Sequence, residues 1–139
     1  MAFIIENTTQ IRVRYADTDK MGIVYNGNYL AFFEVGRTEL MRAKGMAYTE
    51  FEAGGFLLPL VESHVNYKAP AYYDDLLDIS ATLDVDAIYS TMQFNYSVYR
   101  NEIFIASGHT IHSFLKTETM RPVRPPKFFL EKLQSLKII

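Results

Sequence analysis

Ile11, Val13 and Tyr15 alternate with Arg12 and Arg14, the two-residue period of a strand with one buried face. Asp17 to Gly27 reads as loop, with Asp, Thr and Asp favouring local side-chain bonds and two glycines punctuating it. Inside it, Gly22-Ile-Val-Tyr25 is a short apolar run expected to plug the core. The period then changes. Tyr29, Phe32, Phe33, Gly36 and Leu40 recur at three- and four-residue steps, and Leu30, Val35 and Met41 widen the stripe. This predicts a helix from about Asn28 to Lys44, capped by Asn26 or Asn28 and stopped by Gly45. Its apolar surface is wide enough that the helix is expected to be enclosed. Gly36 costs roughly 1 kcal/mol relative to Ala in a helix interior, so another backbone is expected to pass close by.

A second, short helix is predicted over Ala47 to Ala53, ended by Gly54-Gly55. Four strands follow. Phe56 to Lys68 sets Val61, Val65 and Tyr67 against Glu62, His64, Asn66 and Lys68, with Pro59 marking a bulge or edge. Leu77, Ile79, Ala81 and Leu83 make the next strand, and Asp84 to Ala87 a turn. Thr91 to Arg100 alternates through Phe94, Tyr96 and Val98, and a hairpin at Arg100-Asn101-Glu102 leads into Ile103 to Leu115. Pro122, Pro125 and Pro126 break regular structure before a C-terminal helix at about Lys127 to Leu136. The order β, long α, short α, four antiparallel β is an α+β arrangement, read as one domain over residues 1–139. A five-stranded sheet covered on one side leaves edges that dimerisation would satisfy.

Composition narrows the function classes. The net charge of −2 argues against a protein held to nucleic acid by phosphate contacts. Seven of the 14 basic residues nevertheless fall at or after Arg100: Arg100, Lys116, Arg121, Arg124, Lys127, Lys132 and Lys137. That basic strip either meets an anionic ligand or is a solvated surface. The absence of cysteine excludes disulfides, a thiol nucleophile and thiolate metal ligation. The N-terminus lacks the pattern of a signal peptide, and no segment approaches the ~20 apolar residues of a membrane helix. The expectation is a soluble, cytoplasmic protein without membrane insertion.

The chain has no Gly-x-Ser-x-Gly, glycine-rich phosphate loop or His-Glu-x-x-His. His109 and His112, three apart on a strand, face opposite sides, so no metal site is expected. What remains is the carboxylate pair Asp17 and Asp19, facing a helix start. A general base or nucleophile needs an oxygen near the reacting carbonyl, and the free N–H groups of a helix start can stabilise a developing oxyanion. On spacing alone, both acids could equally be capping and turning the loop.

The run Asp17-Thr-Asp19-Lys-Met-Gly22-Ile-Val24-Tyr-Asn-Gly-Asn28-Tyr29, with Phe33, Glu34 and Arg37, resembles the hotdog-fold acyl-CoA thioesterases of the 4-hydroxybenzoyl-CoA thioesterase and YbgC branch. Tyr67-Lys-Ala-Pro70, Asp74-Asp75 and Arg121-Pro-Val-Arg124-Pro-Pro126 extend the resemblance over nearly the whole chain. It implies a hotdog fold, a long central helix wrapped by a curved five-stranded antiparallel sheet. It also implies a homodimer or homotetramer with active sites at the dimer interface. By position Asp19 matches the catalytic carboxylate, Asp17 the structural acid, and Asn26 the residue whose backbone N–H polarises the carbonyl. Many members carry His where this chain has Asn26, which removes a side-chain acid or base and leaves the backbone donor.

The resemblance further implies hydrolysis of an acyl-CoA thioester, with no cofactor beyond the CoA moiety of the substrate. Asp19 would either activate water or attack to give a mixed anhydride. Tyr25 and Gly27 beside the helix start, and the cations Lys68, Arg121 and Arg124, are the substrate-binding candidates, with Lys116 and Lys127 as further phosphate partners. An aromatic acyl pocket of Tyr25, Phe32, Phe33 and Phe56 stands beside the reading that these rings are core. Some members have a basic cluster before the fourth strand, where this chain has Asp84, Asp86 and Ala87. That departure leaves room for an acyl carrier protein thioester, and a noncatalytic acyl-thioester binder is the alternative from another class. A hydratase is disfavoured by the absence of an Asp-x-Asn-Pro-x-His type of motif.

Overall fold

A computed structural model describes residues 2–137. The chain runs β1 (Ile4–Arg12), α1 (Asn28–Ala43), α2 (Tyr48–Ala53), β2 (Phe56–Leu57), β3 (Leu60–Tyr67), β4 (Leu76–Asp84), β5 (Thr91–Arg100), β6 (Ile103–Ser113), β7 (Leu115–Lys116), β8 (Arg121–Pro122) and α3 (Lys127–Leu136). The main sheet is antiparallel, in the order β1-β4-β5-β6-β3. Alternation along β4 sends Leu77, Ile79, Ala81 and Leu83 inward, and β5 adds Met92, Phe94, Tyr96 and Val98, all buried. Polar partners such as Asp78, Ser80, Asn95 and Ser97 lie on the other side of the sheet.

The buried stripe of α1 is Tyr29, Phe32, Phe33, Gly36, Leu40 and Met41, and it packs on the inner face of this sheet. Phe33 stacks on Tyr96 with ring centroids 4.3 Å apart. The curved sheet around a single long helix is the hotdog fold. Gly36 marks the closest approach. A Cβ there would come within 2.9 Å of the Ile79 Cγ2 methyl, so the crowding comes from core side chains of β4 rather than from another backbone. Gly45, with φ +75°, ends the helix as predicted.

Three further readings change. Neither Asn26 nor Asn28 caps α1 through its side chain. The N-cap is Gly27, and the Asn28 amide instead donates to the Asp17 carbonyl at 2.8 Å. The helix is also not enclosed within one chain: Leu30 and Val35 stand exposed on its outer side, because the sheet covers only one face. The predicted strand from Phe56 to Lys68 is two strands. Pro59 has no N–H to extend a ladder, so β2 leaves to pair with β7, which in turn pairs with β8. β3 continues along the edge of the main sheet with a bulge between Leu60 and Glu62. Almost every residue of β3 is exposed. The small β2-β7-β8 sheet was not foreseen.

Candidate active site

The loop between β1 and α1 is built around Asp17. Its carboxylate is buried and accepts from the Arg14 backbone N–H at 2.8 Å and from the Arg14 guanidinium at 3.0 Å. Its carbonyl accepts from the Tyr25 N–H at 2.9 Å and from the Asn28 side chain. Asp17 is therefore held on every side by the scaffold.

Asp19 is held differently. Its backbone is pinned in a narrow turn, with its N–H on the Ile23 carbonyl at 2.9 Å and its carbonyl receiving the Gly22 N–H at 3.0 Å. Gly22 takes a φ of +81°, which a side chain would resist. Within the carboxylate, Oδ1 accepts from the Met21 N–H at 2.8 Å, and Oδ2 has no partner among the described residues. The side chain is thus oriented while one oxygen stays available.

Opposite it lies the start of α1. The Asn28 N–H bonds the Tyr25 carbonyl and the Tyr29 N–H bonds the Asn26 carbonyl. The N–H groups of Asn26 and Gly27 donate to nothing among the described residues. Two open donors at the positive end of a 16-residue helix make a site for developing negative charge. The Tyr67 hydroxyl donates to the Asn26 carbonyl at 3.0 Å, tying the edge strand to this turn.

Asp19, Asn26, Tyr29, Tyr67 and Lys68 all line one open cavity of about 480 Å³, with Met21, Ile23, Val24 and the Ala69-Pro70 turn as its apolar walls. Burial pushes the Tyr29 phenol up to about 12, with the neighbouring Tyr67 adding to the rise, so it stays neutral and can only share hydrogen bonds. Of the residues read from the sequence, the fold brings Asp19, Asn26 and Lys68 to this cavity. Tyr25 turns away and lies over Gly27, and neither lines it. Arg121 lies on β8 and Arg124 on the exposed segment before α3, both off this wall. Phe32 and Phe33 are core, and Phe56 belongs to the small sheet. Tyr67 and Tyr29 enter the site without having been singled out for it. The signal for Tyr67 was its place beside Lys68, and for Tyr29 the helix start itself.

The sequence profile of the thioesterase-like superfamily matches residues 13–133. YneP of Bacillus subtilis is 34% identical over 122 residues, covering 86% of this chain and 87% of YneP. The acyl-CoA thioesterase YbgC of Haemophilus influenzae is 30% identical over 118 residues, covering 84% and 86%. Among solved structures, the hypothetical protein TT1821 of Thermus thermophilus superposes with a TM-score of 0.84 at 30% identity, covering 93% of this chain and 98% of that one. The DHNA-CoA thioesterase of Staphylococcus aureus gives 0.83 at 27% identity, covering 95% and 91%. A family match over nearly the whole chain joins a shared fold and a carboxylate set against a helix start: this chain belongs to the thioesterase-like superfamily.

Proposed function

We propose that the protein is an acyl-CoA thioesterase of the hotdog family, hydrolysing an acyl-CoA to the free acid and CoA. The observation that carries this reading is one cavity lined by Asp19, whose Oδ2 is open, by Asn26, whose backbone N–H is unpaired among the described residues, and by Lys68, with the Gly27 N–H next in the same turn. The thioester carbonyl oxygen lies on the helix-start donors, which stabilise charge as it develops. Asp19 takes a proton from water as the water oxygen adds to the carbonyl carbon. The tetrahedral intermediate then expels the thiolate, which is protonated as it leaves. A thiolate is a good leaving group, so no strong acid is needed beside it. The other route has Asp19 attack the carbonyl and water cleave the resulting anhydride. Lys68 is the proposed contact for a phosphate of the nucleotide arm, while Arg121 and Arg124 contribute only to a basic surface strip.

We further propose that the protein works as a homodimer, joined along the exposed edge strand β3 and over the open face of α1, in the cytoplasm. An acyl carrier protein in place of CoA is the alternative carrier, motivated by the acids Asp84 and Asp86 before β5.

Thiol release from a panel of acyl-CoAs, and from the matching acyl carrier protein thioesters, tests this. The Asp19→Asn variant should lose about 10²–10⁴-fold in kcat, the range for removing a positioned base. Full activity in that variant overturns the mechanism, and no turnover of any thioester leaves a binding protein. Single-turnover hydrolysis in ¹⁸O-water tests the anhydride route: label retained in Asp19 means that Asp19 attacked and that water opened the anhydride at its carboxyl carbon.

A further inference from the structure

A second cavity, of about 460 Å³, lies toward the C-terminal end of α1 and shares no lining residue with the Asp19 cavity. Its walls are mixed, with Met41, Ala47, Leu58 and Phe94 on the apolar side and Glu34, Arg37 and His112 among the polar groups. Arg37 is the informative one. Its side chain is only 20% exposed, and its nearest carboxylate among the described residues, Glu34, is 3.9 Å away and 71% exposed. A long, solvated contact of that kind offsets little of the cost of half-burying a guanidinium.

The neighbouring polar groups cannot supply the missing negative charge, and their proton directions follow from elimination. The Leu58 carbonyl can only accept, so the His112 Nδ1–H donates to it, at 3.1 Å. Burial, reinforced by the Arg37 charge, lowers His112 to about 4, so the ring is neutral and Nε2 is an acceptor. The Thr110 hydroxyl therefore donates to Nε2 at 2.9 Å, which leaves its oxygen to accept from Tyr96 at 2.5 Å. The Tyr96 proton is committed inward, and burial raises the pKa of that phenol against the opposing charge of Arg37. The chain Tyr96 to Thr110 to His112 to Leu58 is saturated and neutral. Arg37 stands at its outer end as a cation met only by the long contact to Glu34, which lines the same chamber. Arg42, the other cation on the wall, is already paired with Glu39.

From this geometry we propose that the chamber is a binding site for an organic monocarboxylate, its carboxylate on the planar fork of Arg37 and its apolar body against Met41, Leu58 and Phe94. A guanidinium holds a carboxylate through two parallel bonds, and the volume suits a small acid. One weakly paired cation beside an apolar patch fits a single carboxylate better than the several charges of a nucleotide. The site stands whether or not the Asp19 cavity hydrolyses thioesters, and it takes the class of molecule that such hydrolysis releases.

Methionine methyl NMR on the full-length protein tests it, because Met41 lines this chamber and Met21 lines the Asp19 cavity. With ¹³C-methyl methionine, assigned through Met41→Leu and Met21→Leu, sodium benzoate and sodium hexanoate should move the Met41 signal and leave Met21 in place. Benzamide and hexanamide, of the same shape without the charge, should leave both unmoved at equal concentration. Arg37→Gln should weaken the benzoate titration at least 10-fold, and Asp19→Asn should not change it. Should Arg37→Gln fail to fold, Thr38→Phe, which fills the chamber from α1, should abolish the Met41 shift. The proposal is overturned if the acids move Met21 alone, if nothing moves, or if the amides act as strongly as the acids.

Discussion

Asp17 and Asp19 are two residues apart, and their surroundings give them different work. Six hydrogen bonds hold Asp17 in the scaffold, whereas one oxygen of Asp19 has no partner among the described residues. The neighbouring helix start separates backbone from side chain in the same way. Asn26→Ala should keep activity within a few-fold, since the group assigned there is the backbone N–H. Asn26→Pro removes that N–H and should cost about 10²–10³-fold in kcat, the usual loss for one oxyanion donor; the thermal midpoint of each variant checks that the fold survives. A separate effect belongs to His112. Its folded pKa of about 4 lies below the unfolded value of about 6.5, so unfolding takes up a proton between those limits. Stability should be fully present above pH 6.5 and decline as the pH falls toward 4, by roughly 3 kcal/mol at most. Urea midpoints across that range would measure it, and in His112→Gln the same slope should flatten.

At the scale of elements, periodicity located α1, α2, α3 and the strands β4, β5 and β6 to within a residue or two. The inward-facing residues Leu77 to Leu83 carried a period that nothing else in the chain contradicts. Less legible were features decided by distant partners. The break at Pro59 could be read, but not that Phe56 and Leu57 would pair with Leu115 and Lys116, nearly 60 positions on. The capping of α1 was misread because Asn28 found a tertiary acceptor in Asp17. For the site, the two ends were legible as loop acids and a helix start. Tyr67 was not, since its contribution depends on how the edge strand passes the turn. Gly36 offers a test of the helix-on-sheet packing. Alanine gains roughly 1 kcal/mol of helix propensity, but its methyl meets the fully buried Ile79. Overpacking of that kind costs about 1–3 kcal/mol, so Gly36→Ala should lower the urea midpoint with the m-value unchanged.

For the whole molecule, an edge strand and a helix face stand open. β3 offers unpaired backbone along its free edge, with Leu60, Val61 and Tyr67 exposed, and α1 shows Leu30 and Val35. A dimer is the expected state by light scattering at micromolar concentration. Val65→Pro, whose N–H points away from β6, removes a donor at that edge and should shift the protein toward monomer and lower its activity with it.

Tyr67 gives this assembly a kinetic signature. The residue belongs at once to the free edge and to the cavity wall, and its hydroxyl donates to the carbonyl of Asn26, in the turn that carries the proposed oxyanion donors. Any partner that straightens or fixes this edge also sets the pitch of that turn. Turnover per chain should therefore fall on dilution, with a midpoint at the dimer dissociation constant. Tyr67→Phe should weaken that dependence by cutting the link while both surfaces remain. The enzyme would then be metered by its own abundance, idle when scarce and active once chains are numerous enough to meet.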